Sequence, residues 1–435
     1  MPASLFKSVR FRWLGLLSLS LCIFMALTPP PSARAEERGR LLKEVVLSRH
    51  GVRSPIQSAE RLAGWSERGW PEWPVKPGMQ TERGSSLIFR QWREEAARLA
   101  SLGVKSEEVF ICADSEQRTR AAAEAIARAF SPSGDIVPPL SYKAEVYPIF
   151  HPVRAGLSSI DKGRAESEIL KGAGGSLEAL RLTLSGELGQ LAAIMGPLPS
   201  RTLERYKLRA GSTIITVPSS VVFPDGGRSA AIAGGLGAAS SAAEIFMLEY
   251  CQWPEGRAGW GEVNGEVLEN IMPVHSVIFN IVQRAPSVAL AQAANLTELL
   301  AAALLSDGSG LTNIPTTVKT PALAAKLSIF VGHDTNIAGT AQLLGLNWEL
   351  PGFAPNDVPP GSCLVLSLWQ RGGERYVTAE FTGLSLATLH GDASAPTRVN
   401  RQRLSLAHMS GRDGAEECSP EEFADWVRRA TAKGR

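Results

Sequence analysis

The chain has 435 residues, 45 Lys+Arg against 43 Asp+Glu, 44% apolar and 20% charged residues, and five cysteines. So even a charge balance excludes the electrostatic footprint of a nucleic-acid binder, and without a CxxC pair neither a zinc ribbon nor a thioredoxin-like centre is expected. The length exceeds that at which one core keeps growing, so two domains, or one with a large insert, are expected.

Residues 1–35 have the three parts of a secretory signal peptide: Lys7, Arg10 and Arg12, an apolar stretch from Leu14 to Leu27, then Ala33-Arg34-Ala35. Pro29, Pro30 and Pro31 cut the apolar run short of the roughly 20 residues a membrane span needs, so cleavage after Ala35 should leave no membrane attachment. Cys22 follows bulky Leu21, which fits apolar filler better than lipidation. Cleavage removes four basic residues and leaves 41 Lys+Arg against 43 Asp+Glu, in a periplasmic or secreted protein. Export permits disulfides among Cys112, Cys251, Cys363 and Cys418, but the spacing specifies no pairing.

The run Glu44-Val45-Val46-Leu47-Ser48 reads as a buried strand that delivers Arg49 and His50 to its carboxyl edge. Val109-Phe110-Ile111-Cys112 repeats the design, running into Asp114 and Ser115 and then a helix over Thr119 to Phe130. Leu177, Leu180, Leu184, Leu188 and Leu191 follow helical spacing with Ser176 as the cap. A Gly/Ala-rich stretch from Ser229 to Tyr250 follows, then helical runs over His275 to Val282 and Leu296 to Leu305. Leu327 to Val331 is a third strand, delivering Gly332, His333 and Asp334; the end returns to strands at Leu364–Leu368 and Tyr376–Phe381 before a helix from Pro420 to Ala430. Strand, polar turn and helix in repetition imply an α/β fold: a mixed-sheet domain from 36–155 and 291–435 with helices on both faces, and a mostly helical insert over 156–290. Ligands in such sheets bind beyond the carboxyl ends of the strands, so the three polar clusters are expected to share one site.

Arg49-His50-Gly51-Val52-Arg53-Ser54-Pro55 sets a histidine between two arginines, with a glycine for a sharp turn and a proline fixing the exit. Guanidinium groups match phosphate oxygens and keep their charge, and a neutral imidazole between them can attack phosphorus. An Arg-His pair that merely solvates a strand end is the bland alternative, which the second arginine, glycine and proline disfavour. In Gly332-His333-Asp334-Thr335-Asn336, His333 can donate to a phosphate oxygen and Asp334 can protonate a departing alkoxide, although a His-Asp pair alone is common in cores. In Asp114-Ser115-Glu116-Gln117-Arg118-Thr119-Arg120, Glu116 and Arg120 suit a solvated first helical turn, while Arg118 turns inward to a third phosphate oxygen.

These residues resemble the histidine acid phosphatases, in the branch of bacterial periplasmic phytases and glucose-1-phosphatases. The resemblance spans the mature chain. Besides the RHGVRSP and GHDTN motifs it includes Trp70 to Val75, Thr81 to Gly84, Asp114 to Arg120, Glu244 to Phe246, Gly259 to Gly261 and Gly345 to Trp348. It implies a phosphoglycerate-mutase-like fold, no metal or other cofactor, and a small phosphomonoester as the partner. His50 is implied as nucleophile, Asp334 as proton donor, and Arg49, Arg53, Arg118 and His333 as the phosphate clamp. Ile56 and Gln57 stand where phytases of the family carry Thr-Lys, and Met409 stands where the usual disulfide partner of Cys418 would be. Glu244 looks into the cleft or lies on a helix surface.

His151 and His275 have no evident partner and read as structural; His390 and His408 carry no signal. Gly235-Leu236-Gly237 is set aside as a dinucleotide turn because it follows no strand and lacks the third glycine. Trp65, Trp70 and Trp73 read as a packed loop cluster rather than a substrate rim. Competing functions are a phosphoglycerate-mutase-like phosphotransferase, disfavoured by the export signal and Asp334, and a phosphate-ester binding protein, disfavoured by the intact nucleophile and acid.

Overall fold

Alternation of side chains along each strand decides which face of the central sheet it covers. In the computed structural model, which describes residues 39–131, 140–141, 147–308, 311, 314–392 and 396–432, the strands in chain order are β1 (Arg40–Arg49), β2 (Val109–Ala113), β3 (Leu140–Ser141), β4 (Ser219–Val222), β5 (Ala231–Gly234), β6 (Leu327–Gly332), β7 (Cys363–Arg371), β8 (Glu374–Leu384), β9 (Val399–Arg403) and β10 (Glu417–Cys418). The segment read as a signal peptide, 1–35, lies outside the described residues. All but β4 and β5 form one sheet in the order β10-β8-β7-β1-β6-β2-β3, with β9 also on β8. Strands β1, β6, β2 and β3 run parallel, whereas β7 to β10 pair antiparallel, so the expected mixed sheet is present.

Val46, Ile111 and Ile329 point to one face, where α1 (Glu82–Ser101) and α2 (Gln117–Phe130) cover them with Ile88, Trp92, Ala122 and Ile126. Val45, Leu47, Phe110, Cys112 and Phe330 point to the other, and that buried cluster runs on without a break into the chain between β3 and β6. There it takes in α3 (Gly235–Gln252) through Phe246 and Met247, and α4 (Gly265–Gln283) through Leu268 and Ile271. Helix α5 (Pro286–Leu305) is apolar along its length because it is covered nearly all round; α6 (Asp334–Leu344) and α7 (Pro420–Thr431) pack beside it.

The leucine series divides at Leu184 into helices Leu177–Thr183 and Ser185–Met195, and Ser176 caps the first by accepting from the Ala179 N–H. The hairpin β4–β5 was not expected. It overturns the premise that Gly235-Leu236-Gly237 follows no strand, since β5 runs straight into α3. A Cβ on Gly234 would lie 1.9 Å from the Pro218 carbonyl oxygen, and one on Gly237 1.9 Å from that of Ile232, so these glycines serve close packing. Because β5 pairs only with antiparallel β4, no βαβ unit forms. Trp70 packs on Phe246 and Trp260, and Trp73 on Trp253. Cys112, Cys251, Cys363 and Cys418 are each buried and free.

Glu249 on α3 is 1% exposed, accepts one hydrogen bond from the Gly259 N–H at 2.9 Å, and has its other oxygen buried without a partner among the described residues. Burial pushes its carboxyl up to about 8, against the lowering effect of that hydrogen bond. The unfolded chain therefore releases this proton near the ordinary carboxyl value while the folded chain holds it. Stability is full below that value and falls as pH rises to about 8. Glu249→Gln should flatten that fall in thermal midpoint by several degrees; equal pH slopes in the two proteins would refute the assignment.

Candidate active site

Three parallel strands end level with one another. Arg49 pairs with Gly332 and Ala113 with Val331, so the residues that follow β1, β6 and β2 meet at one edge. His50 is tied there by its N–H to the Gly332 carbonyl at 3.2 Å, and its own carbonyl accepts from the Gly361 N–H at 2.9 Å. The turn after it presses on the start of α1: the Gly51 N–H donates to Gln80 Oε1 at 2.6 Å, and a Cβ on Gly84 would lie 2.2 Å from the Val52 carbonyl oxygen.

The His50 ring is 2% exposed, with Nδ1 2.9 Å from the Gly51 carbonyl oxygen. A carbonyl only accepts, so the proton sits on Nδ1 and Nε2 keeps its lone pair. Burial, then the positive charges of Arg49, Arg118, His333 and Arg53, holds the ring well below the ordinary histidine value, and it stays neutral in acid.

Arg49 is 2% exposed; its Nη2 donates to Glu244 Oε1 at 2.8 Å and pairs with Asp334 Oδ2 at 2.7 Å, and Nη1 donates to the Val358 carbonyl. Arg53 Nη2 donates to the same Glu244 oxygen at 2.9 Å. Arg118 Nη1 reaches the Gly78 carbonyl oxygen at 3.3 Å and pairs with Glu116. In all three arginines Nε is buried and has no partner among the described residues. Burial would raise the Glu244 carboxyl, but Arg53, His275 and Arg49 outweigh it and hold that carboxyl well below the usual range. Asp334 is also lowered: burial and Glu244 push it up, while Arg49, Arg53 and His333 push it down by more.

Asp114, fully buried, accepts on Oδ2 from His333 Nε2 at 2.7 Å and from His151 Nε2 at 2.8 Å, and on Oδ1 from the Ser115 N–H at 2.8 Å. Those bonds and the two rings outweigh its burial and keep it anionic. The bond to Asp114 also orients the His333 ring, which lines the cavity.

His50, Arg53, Arg118, His333 and Asp334 line one cavity of about 350 Å³, with Ile56 at its mouth, while Arg49 lies beneath them. The structure thus brings together all six residues singled out in the sequence. It corrects three readings, the first being that of His275, whose Nδ1 lies 3.2 Å from Ser240 Oγ and so has a partner. His151 has a partner in Asp114 and lines the cavity, and Glu116 pairs with Arg118 in the cavity wall instead of standing in solvent. Of the alternatives for Glu244, the inward one is seen: it reaches from α3 to both arginines. Asp114 could have been found from its place directly after a strand; His151, from a loop 37 residues away, carried no local signal.

Residues 40–175 and 265–381 match the model of the histidine phosphatase superfamily (branch 2). The chain belongs to that family. Its class of enzyme is the histidine acid phosphatases, which hydrolyse phosphomonoesters. Among curated histidine phosphatase relatives, phytase AppA of Escherichia coli is 30% identical over 428 residues, covering 94% of this chain and 96% of that protein. A glucose-1-phosphatase of Providencia rettgeri is 23% identical over 370 residues, covering 81% and 82%. The solved structure of Hafnia alvei phytase in complex with tartrate superposes with a TM-score of 0.79 at 29% identity, covering 91% of this chain and 98% of that one.

Proposed function

We propose that His50 attacks the phosphorus of a phosphomonoester through Nε2, that Arg49, Arg53, Arg118 and His333 hold the phosphate, and that Asp334 protonates the leaving alkoxide. The observation that carries this is a neutral His50 whose proton is parked on Nδ1, set among three arginines whose Nε–H groups are buried without partners among the described residues. As the N–P bond forms, the P–O bond to the leaving group breaks and the Asp334 proton passes to the departing oxygen. Water then attacks the phosphohistidine, gives a proton back to the Asp334 carboxylate and displaces the imidazole, releasing phosphate.

Asp334 is lowered when Arg49 pairs with it, yet the first step needs it protonated. A bound phosphate supplies the change: it draws on the charge of Arg49 and sets a like charge beside Asp334, and both raise the carboxyl. Burial holds His333 below the ordinary histidine value despite its bond to Asp114, and a bound phosphate on its other side opposes that lowering and favours protonation of the ring. Both effects favour acid pH, and Glu244 bridges Arg49 and Arg53 until phosphate takes its place between them. The sequence features of 1–35 support export to the periplasm or medium. The sheet segments 36–155 and 291–435 would carry the phosphate chemistry, with 156–290 shaping the leaving-group side.

Arg154 and Arg228 at the cavity rim suit an ester carrying more than one phosphate, in line with the relatives that are named phytases. The test is phosphate release from p-nitrophenyl phosphate, glucose 1-phosphate and phytate, at about pH 4.5 and about pH 7.5, in chelator. Turnover should be faster in acid, should not be lowered by the chelator, and should include phytate. A flat pH profile together with loss of activity in chelator would overturn the histidine mechanism.

A further inference from the structure

We infer that the cavity wall formed by Asp114, Glu116, His151 and His333 is a binding site for a borderline divalent transition ion, with zinc the best fit, and that occupancy shuts the phosphatase off. The inhibitory half rests on the reading of His333 as a phosphate ligand.

Each of the four side chains offers one ligand atom, and these atoms all lie within 4.8 Å of one another. Two imidazole nitrogens already converge on one carboxylate oxygen at 2.7 and 2.8 Å, with the His151 and His333 rings 5.3 Å apart and tilted by 39°. A tetrahedral zinc ion takes nitrogen at about 2.0–2.1 Å and carboxylate oxygen at about 2.0–2.2 Å, so its ligands stand a little over 3 Å apart. Coordination therefore requires Asp114 Oδ2 to withdraw from the point at which both Nε2 atoms aim, leaving that point to the ion, while ligand atoms now within 4.8 Å close to that spacing. Glu116, paired with Arg118 and part of the cavity wall, swings to the fourth position.

The chemistry selects the ion. Two imidazoles with two carboxylates suit zinc, copper or nickel, whereas magnesium and calcium want oxygen ligands alone. Asp114 and Glu116 balance the charge of a divalent ion in a site otherwise flanked by arginines. On binding, each neutral ring moves its proton from Nε2 to Nδ1 and its Nε2 lone pair passes to the metal, so no redox partner is needed. The consequence for turnover is direct. His333 is drawn toward the metal and Arg118 loses its tether to Glu116, so two of the four groups proposed to hold phosphate leave their places. Zinc is thus an inhibitor here and not a participant, which agrees with a hydrolysis whose charge stabilisation comes from arginines.

The probe is zinc alone, titrated calorimetrically into the metal-stripped full mature chain in phosphate-free buffer near neutral pH. Wild type should bind one ion in the micromolar range or tighter, and magnesium should not bind. His151→Asn should weaken zinc by at least about tenfold, Glu116→Gln should weaken it, and His408→Asn, away from the cavity on the Leu344 carbonyl, should leave it unchanged. Zinc should inhibit phosphate release in wild type, reversibly on adding chelator, with the inhibition shifted in His151→Asn by the same factor as the binding. No zinc binding below about 100 µM, or equal affinity in wild type and His151→Asn, would overturn the site; binding without inhibition would overturn its role. Calorimetry reads the metal whether or not the protein turns over, so failure of the phosphatase reading would show separately as zinc binding to a protein that releases no phosphate.

Discussion

His50→Ala is expected to lower phosphate release from p-nitrophenyl phosphate by about 10⁴-fold or more at about pH 4.5, with the fold intact by circular dichroism. The size of the effect follows from the role. No other histidine of the cavity can take over, because His333 and His151 both have their Nε2 committed to Asp114. Nor does the substitution remove a structural tie of comparable weight, because among the described residues the His50 ring bonds only to the adjacent Gly51 carbonyl. The backbone bonds that hold the turn, to the Gly332 carbonyl and from the Gly361 N–H, survive the change. A second signature is the covalent intermediate itself: wild type quenched in alkali during turnover should carry acid-labile phosphate on His50. Retained activity in the alanine variant would place the nucleophile elsewhere.

Asp334→Asn should cost about 10²–10⁴-fold in kcat for an alkyl phosphate and far less for p-nitrophenyl phosphate. An alkoxide leaves only if protonated as the P–O bond breaks, whereas nitrophenolate is stable enough to leave unaided. Asparagine keeps the shape of the side chain but cannot supply that proton. Arg49 loses one of two carboxylate partners in the variant and keeps Glu244 and the Val358 carbonyl, so the phosphate clamp stays formed. Equal losses for the two substrates would mean that Asp334 positions Arg49 instead of moving a proton. The pH profile gives an independent check: the fall in alkyl phosphate turnover toward neutrality, assigned to deprotonation of Asp334 beside bound phosphate, should be absent in Asp334→Asn.

Arg49, His50, Arg53, His333 and Asp334 were legible because each sits within four residues of a strand end, where an apolar run breaks abruptly into polar residues. Arg118 was legible as a member of the first turn of a helix that follows such a strand. Asp114 shares that placement, yet its carboxylate showed its importance only once two rings from other parts of the chain were seen on one of its oxygens. Glu244 lies on a helix with no break in its pattern, and its spacing says nothing about a pair of arginines nearly 200 residues earlier. The hairpin β4–β5 was missed because Ala231 to Gly234 is too short and too poor in β-branched residues to stand out from the helix that follows it.

By itself the sequence determined the α/β class, the strands that end at the site and the chemical character of its core, since hydrophobic periodicity and motif spacing are local properties that survive without coordinates. Only the tertiary structure decided that Glu244 bridges two arginines, that Asp114 orients His333, that His151 joins it, and that Cys112, Cys251, Cys363 and Cys418 are free. Those contacts join residues from 37 to more than 200 positions apart, and the short-range pattern of a chain carries no record of which distant side chain a buried charge will meet.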